Sequence, residues 1–132
     1  MNAVLPVSSI YVALSALLVM LLLLRVAYLR NSLKIGIGDG GQSRLARAIR
    51  VHANAIECLP LALLMLVMLE LCHAHPMGLH GLGAALLIAR LMHAQGLSAH
   101  GGYSFGRFTG TVITVLVVIA MGGWLLWLNF SR

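Results

Sequence analysis

The chain has 132 residues, enough for one domain, yet only 9% of them are charged and 61% are apolar, with a mean hydropathy of +0.98. Soluble domains usually carry about a quarter charged residues, which excludes water as the solvent for most of this surface. The net charge of +6 does not indicate a nucleic-acid binder, because six of the nine Lys and Arg residues fall within residues 25–50, between apolar runs and without an aromatic-interleaved basic face.

In chain order, the first apolar run covers residues 3–24, 22 residues without a charge. That length crosses a hydrocarbon core of about 30 Å as a helix. It lacks a basic n-region and exceeds a normal h-region, so it reads as a span and not as a cleavable signal peptide. A polar connection over residues 31–43 follows, containing Gly36, Gly38, Asp39, Gly40 and Gly41. The second span, residues 44–72, is helical in pattern but contains Arg47, Arg50, Asn54, Glu57 and Glu70. Pro60 lies inside it, and its missing N–H predicts a kink, since transmembrane helices tolerate proline. His73-Ala74-His75-Pro76 breaks the pattern. The third span, residues 77–97, contains Arg90 and His93, and a Gly-rich connection over residues 98–106 leads to the last. That run ends with Trp124 and Trp127, where indoles favour the membrane interface. The expected fold is an all-α integral membrane bundle of four transmembrane helices. It forms one domain over residues 1–132, with helices at about 3–29, 44–72, 77–97 and 107–130.

Orientation follows from the cations. The first and third connections carry Arg30, Lys34, Arg44 and Arg107 at or near their edges, the second carries none, and the tails carry only Arg132. Excess Lys and Arg mark cytoplasmic loops, so loops one and three are expected in the cytoplasm and both termini outside.

A charge at a helix centre in the bilayer costs about 2.5–3.5 kcal/mol on insertion scales. At about 100° per residue, Arg47, Arg50, Asn54 and Glu57 project at roughly 0°, −60°, −20° and −80°, one narrow face. Such a stripe must face the bundle, a partner subunit or a polar cavity. One account is a structural ladder of i,i+3 and i,i+4 pairs. The other starts from two arginines facing one nearby acid: the surplus cation suits an anionic ligand, above all a carboxylate gripped bidentately. On the third span Arg90 and His93 share a face that Leu97 continues. Arg90 either pairs with Glu57 or joins the anion site. Arg107 is either an interfacial anchor or a cation that lowers the pKa of a bound thiol.

Other residues invite weaker readings. His73, His75 and His80 straddle a proline turn, with Cys72 as the one nearby further ligand, so no metal site is expected and exposed histidines are. Cys58 and Cys72 are fourteen residues apart, about 21 Å along one helix and beyond disulfide reach. Cys58 next to Glu57 reads as packing and not as a nucleophile. Glu70 is expected to reach water, and Gly106 with Gly110 to allow close helix packing. The seven methionines are core and lipid-facing filler.

The stretch Arg47-Ala-Ile-Arg50-Val-His52-Ala-Asn54-Ala-Ile-Glu57-Cys58-Leu-Pro60 resembles the second-helix signature of the MAPEG family, membrane-associated proteins in eicosanoid and glutathione metabolism. Arg90-Leu-Met-His93-Ala-Gln95-Gly96 resembles the third-helix segment, and the chain is similar in size to small microbial members. The resemblance implies a homotrimer with glutathione as co-substrate, bound between neighbouring subunits near the cytoplasmic face. It also implies that Arg50, Asn54 and Glu57 hold the glutathione backbone, with Glu57 taking the amino group. Arg47 and Arg90 would bind or support the carboxylates, while His52 and His93 fill slots for polar contacts and Arg107 stabilises the thiolate. Family enzymes often carry tyrosine after the glutamate and aromatic hydroxyls on the third helix, where this chain has Cys58, His93 and Leu97.

The function these features imply is a glutathione-dependent transferase or peroxidase acting on a hydrophobic electrophile, with the lipid bilayer and a hydrophobic small molecule as partners. The alternative is a non-enzymatic membrane module that binds another anion or a protein. A proton-coupled exporter is disfavoured because the first span lacks a carboxylate.

Overall fold

The computed structural model describes residues 5–131. The expected start of the first span at residue 3 and the tail cation Arg132 lie outside the described residues. Four helices follow one another: α1 (Ser8–Leu33), α2 (Ser43–Leu71), α3 (Pro76–Ala99) and α4 (Phe105–Phe130). Each is long and apolar enough to cross a membrane, and no strand occurs among the described residues. The protein is a multi-pass, all-α membrane bundle.

α2 and α3 each touch the other three helices. α3 and α4 make the most extensive pair, whereas α1 leans on α2 and α3 and does not reach α4 among the described residues. Leu59, Ala62, Leu66 and Leu69 of α2 meet Leu79 and Leu86 of α3, Val117 and Met121 of α4, and Tyr11 of α1. In lipid, burying apolar surface between helices gains little, so close fit has to hold them together. Glycines supply that fit. A Cβ on Gly110 would strike the Ala89 carbonyl and the His93 backbone, and one on Gly106 would meet the Met92 carbonyl at 2.9 Å. The expected Gly106/Gly110 contact surface is therefore the seam between α3 and α4. Gly83 receives the Tyr11 ring and Gly78 the Trp124 ring, so Trp124 packs on α3 while Trp127 stays exposed.

α2 runs unbroken through Pro60, whose missing N–H denies the Ile56 carbonyl its usual partner. No disulfide joins Cys58 and Cys72. His73, His75 and His80 are exposed, and no metal-binding group of His, Cys, Asp or Glu forms among the described residues.

Glu70 stays partly exposed, as a residue expected to reach water does, but it also has a structural role. Its two carboxylate oxygens accept the backbone N–H groups of Val7 and Ser8 at 2.8 and 2.7 Å. The first N–H groups of a helix lack intrahelical acceptors and carry partial positive charge, so a carboxylate from another helix satisfies both needs. Beside it Tyr11 Oη donates to the His80 carbonyl and lies 3.1 Å from His80 Nδ1, tying α1 to α3.

Candidate functional site

The polar stripe of α2 begins four residues into the helix and ends at its fifteenth, from about 6 to 21 Å along the axis. Its residues separate into two layers. In the outer layer, Arg50 pairs with Glu57 two turns away: Nη2 is 3.1 Å from Oε2 and Nη1 3.3 Å from Oε1. Both side chains are more than half exposed on the protomer, at 56% and 54%. In the inner layer, Arg90 and His93 rise from α3 and are only 2% and 3% exposed. Arg90 Nη2 donates to Asn54 Oδ1 and to His93 Nδ1, the latter at 3.2 Å. Of the two roles open to Arg90, pairing with Glu57 is thus not adopted: Glu57 is taken by Arg50, and Arg90 reaches α2 through Asn54.

The cations remain under-satisfied. Arg47 Nε and Arg90 Nε are buried without a hydrogen-bond partner. Buried polar atoms are almost always paired, so two unpaired guanidinium nitrogens on adjoining helices are unusual. His52 is half-buried but lies away from them, about 140° round α2 from Arg47, so the protomer does not bring it into this cluster. Cys58 Sγ lies 4.0 Å from Asn54 Oδ1, a weak donor contact that packs it in place. Leu97 is buried and has no polar atom to offer a ligand.

Arg107 stands in the first turn of α4. Ser104 caps that helix by accepting the Arg107 N–H at 3.2 Å, and the Arg107 guanidinium donates to the Gly101 carbonyl at 3.2 Å. The close fit of Gly96 against Ser104 and the Arg107 backbone fixes this turn on α3. A helix N-terminus and a guanidinium together favour an anion. A hollow of about 210 Å³ lies there, lined by Tyr103, Ser104, Arg107, Phe108 and Thr111.

Apolar grooves flank the exposed face of α2. Between α1 and α2 lies one of about 390 Å³, lined by Val12, Ser15, Met20, Ile56, Pro60 and Leu63 among others. Between α2 and α4 lies one of about 240 Å³, in which Glu57 and Cys58 adjoin Leu61, Thr114, Val118 and Ile119. A polar face bordered by apolar grooves can hold a charged ligand beside one drawn from lipid.

The family model for MAPEG matches residues 8–127. The chain belongs to the MAPEG family. Among curated relatives, the inner membrane protein YecN of Escherichia coli strain K12 is 42% identical over 90 residues, covering 68% of this chain and 69% of that protein. YecN of Escherichia coli O6:H1 matches to the same extent. In this MAPEG chain the sequence points to Arg47, Arg50, His52, Asn54, Glu57, Arg90, His93 and Arg107. Asn54 is the hinge among them, joining Arg90 of α3 to the α2 stripe. Two polar links carried no usable sequence signal: Arg25 Nη1 to Ser98 Oγ at 2.6 Å, and Glu70 to the start of α1. Both join residues more than sixty positions apart.

Proposed function

We propose that this protein is a membrane-bound glutathione-dependent transferase or peroxidase acting on a hydrophobic electrophile, with both termini outside and glutathione held near the cytoplasmic face. One observation carries the reading. Four guanidinium groups (Arg47, Arg50, Arg90 and Arg107) stand against a single carboxylate, Glu57, and two of them keep buried nitrogens without partners.

The γ-glutamyl end of glutathione carries an ammonium and a carboxylate side by side. It can insert into the exposed Arg50–Glu57 pair, with Glu57 taking the ammonium and Arg50 and Arg47 the carboxylate. Asn54, His52 and His93 supply polar contacts to the peptide. Arg107 and the N-terminus of α4 favour the thiolate, whose proton leaves to solvent. In transfer, the thiolate sulfur bonds to an electrophilic carbon and the leaving group departs with its electron pair. In the peroxidase reaction two glutathione molecules become the disulfide while a hydroperoxide is reduced to alcohol and water. The grooves beside α2 suit the apolar acceptor.

The same pair supports self-association. More than half exposed on the protomer and part-way along a membrane span, Arg50 and Glu57 would be costly against acyl chains. Covering them with copies of the chain, as a homotrimer, removes that cost.

Protein in lipid nanodiscs, titrated with glutathione while thiolate absorbance and conjugation of a chlorodinitrobenzene are followed, tests this function. Saturable binding with thiolate formation is expected. No binding at millimolar glutathione overturns it and favours the second reading, a non-enzymatic module for another anion. The replacement of hydroxyl-bearing residues by Cys58, His93 and the buried Leu97 speaks for that second reading.

A further inference from the structure

Arg90 differs from the other cations of the site in having almost no surface. It is 2% exposed, and one of its terminal nitrogens is committed to two acceptors, Asn54 Oδ1 and His93 Nδ1. Both acceptors belong to side chains that can present themselves in two ways. An asparagine amide can turn either its oxygen or its NH2 toward a ligand, and a neutral imidazole can carry its proton on either nitrogen. A guanidinium has only donors, so it permits just one arrangement of each partner.

We propose that Arg90 is a positioning residue that turns Asn54 and His93 into obligate hydrogen-bond donors toward an anionic ligand on the α2 face. Because Arg90 donates to Nδ1, that nitrogen holds a lone pair and the ring proton resides on Nε2. Because Arg90 and the Cys58 thiol both lie on Asn54 Oδ1, the amide hydrogens on Nδ2 remain for other acceptors. Gly110 lets α4 approach the His93 backbone and Cβ closely, which fixes where the side chain is rooted. The consequence for chemistry is specific. His93 cannot take a proton from a thiol through Nδ1, and Nε2 already holds one, so the site activates a thiol by cations and donors and not by a histidine base. Glu57 is then the one carboxylate facing these donors, which selects a ligand with several anionic or carbonyl oxygens and a single ammonium. This inference rests on the proposed anion site for its ligand, but the placement of the protons stands apart from it.

The test uses the full chain in nanodiscs with nitrogen-labelled histidine, the His93 signals being assigned by their loss in His93→Gln. Two-bond nitrogen–proton correlations are expected to give the Nε2–H pattern for His93 in the protein alone. Arg90→Met should abolish that single pattern and weaken glutathione binding by about tenfold, a change of about 1.4 kcal/mol. His93→Gln, which keeps a donor, should bind within about threefold of the parent, and His93→Leu should lose about tenfold. An Nδ1–H ring or an imidazolium in the parent protein overturns the proposal, as does an unchanged tautomer in Arg90→Met. If Arg90→Met folds poorly, the pattern of the parent protein still decides where the proton lies. An Nε2–H ring in a protein that does not bind glutathione supports the role of Arg90 and refutes the transferase reading instead.

Discussion

The two ends of the bundle treat charge in opposite ways. At the end where α1 begins, Glu70 uses both oxygens on the first N–H groups of α1, and Tyr11 uses its hydroxyl on His80. Those groups satisfy one another and bind three helices together, although the Ser8 hydroxyl beside them is itself buried without a hydrogen-bond partner. Toward the other end, the cations outnumber the one carboxylate of the stripe, and guanidinium nitrogens of Arg47 and Arg90 stay unpaired in the interior. Polar groups inside a membrane protein are therefore not evidence of a ligand site in themselves. What distinguishes the site from the clasp is that the capacity left over in it is cationic, whereas on α1 it is that of neutral Ser8 and Ser15 hydroxyls.

Substitutions can break or sharpen this contrast. The largest effect is expected for Arg50→Ala, which leaves Glu57 without its partner and removes the carboxylate grip. Glutathione affinity, measured by calorimetry, should fall by about 2–5 kcal/mol. Glu70→Ala should behave the other way round. It strips the start of α1 of two charge-assisted acceptors and should cost about 1.5–3 kcal/mol in a denaturation assay, with affinity unchanged. A large loss of binding in that variant would mean that the two ends are coupled. Gly110→Ala should cost about 1–3 kcal/mol by forcing α3 and α4 apart at Ala89 and His93. Because it shifts His93, it should lower affinity as well, which a purely structural seam would not do. Tyr11→Phe should be mildest, about 0.5–1.5 kcal/mol of stability, and silent in binding.

The four spans were legible because a bilayer forces each spanning segment to satisfy its own backbone, leaving long apolar runs that can be read one at a time. The shared face of Arg50 and Glu57 was legible too, from helical periodicity, though not that the two pair with each other. The cap that Glu70 places on α1 was not legible, and for a physical reason. Near the end of a span a carboxylate ordinarily finds water, and nothing in its neighbourhood in sequence announces the start of α1 more than sixty positions earlier. The role of Arg90 was similarly open: spacing along α3 says that it shares a face with His93, but not which residue of α2 meets that face.

By itself, the sequence determined the solvent, the number of helices and the composition of the polar stripe. These depend on hydropathy and on a repeat of 3.6 residues, both local properties of the chain. Only the tertiary structure decided that Glu57 goes to Arg50, that Arg90 goes to Asn54 and His93, and that Glu70 caps α1. Partners across helices depend on how far each helix is rotated and slid against the next. That is set by glycine contacts and side-chain fit across the whole bundle and by no single segment of it.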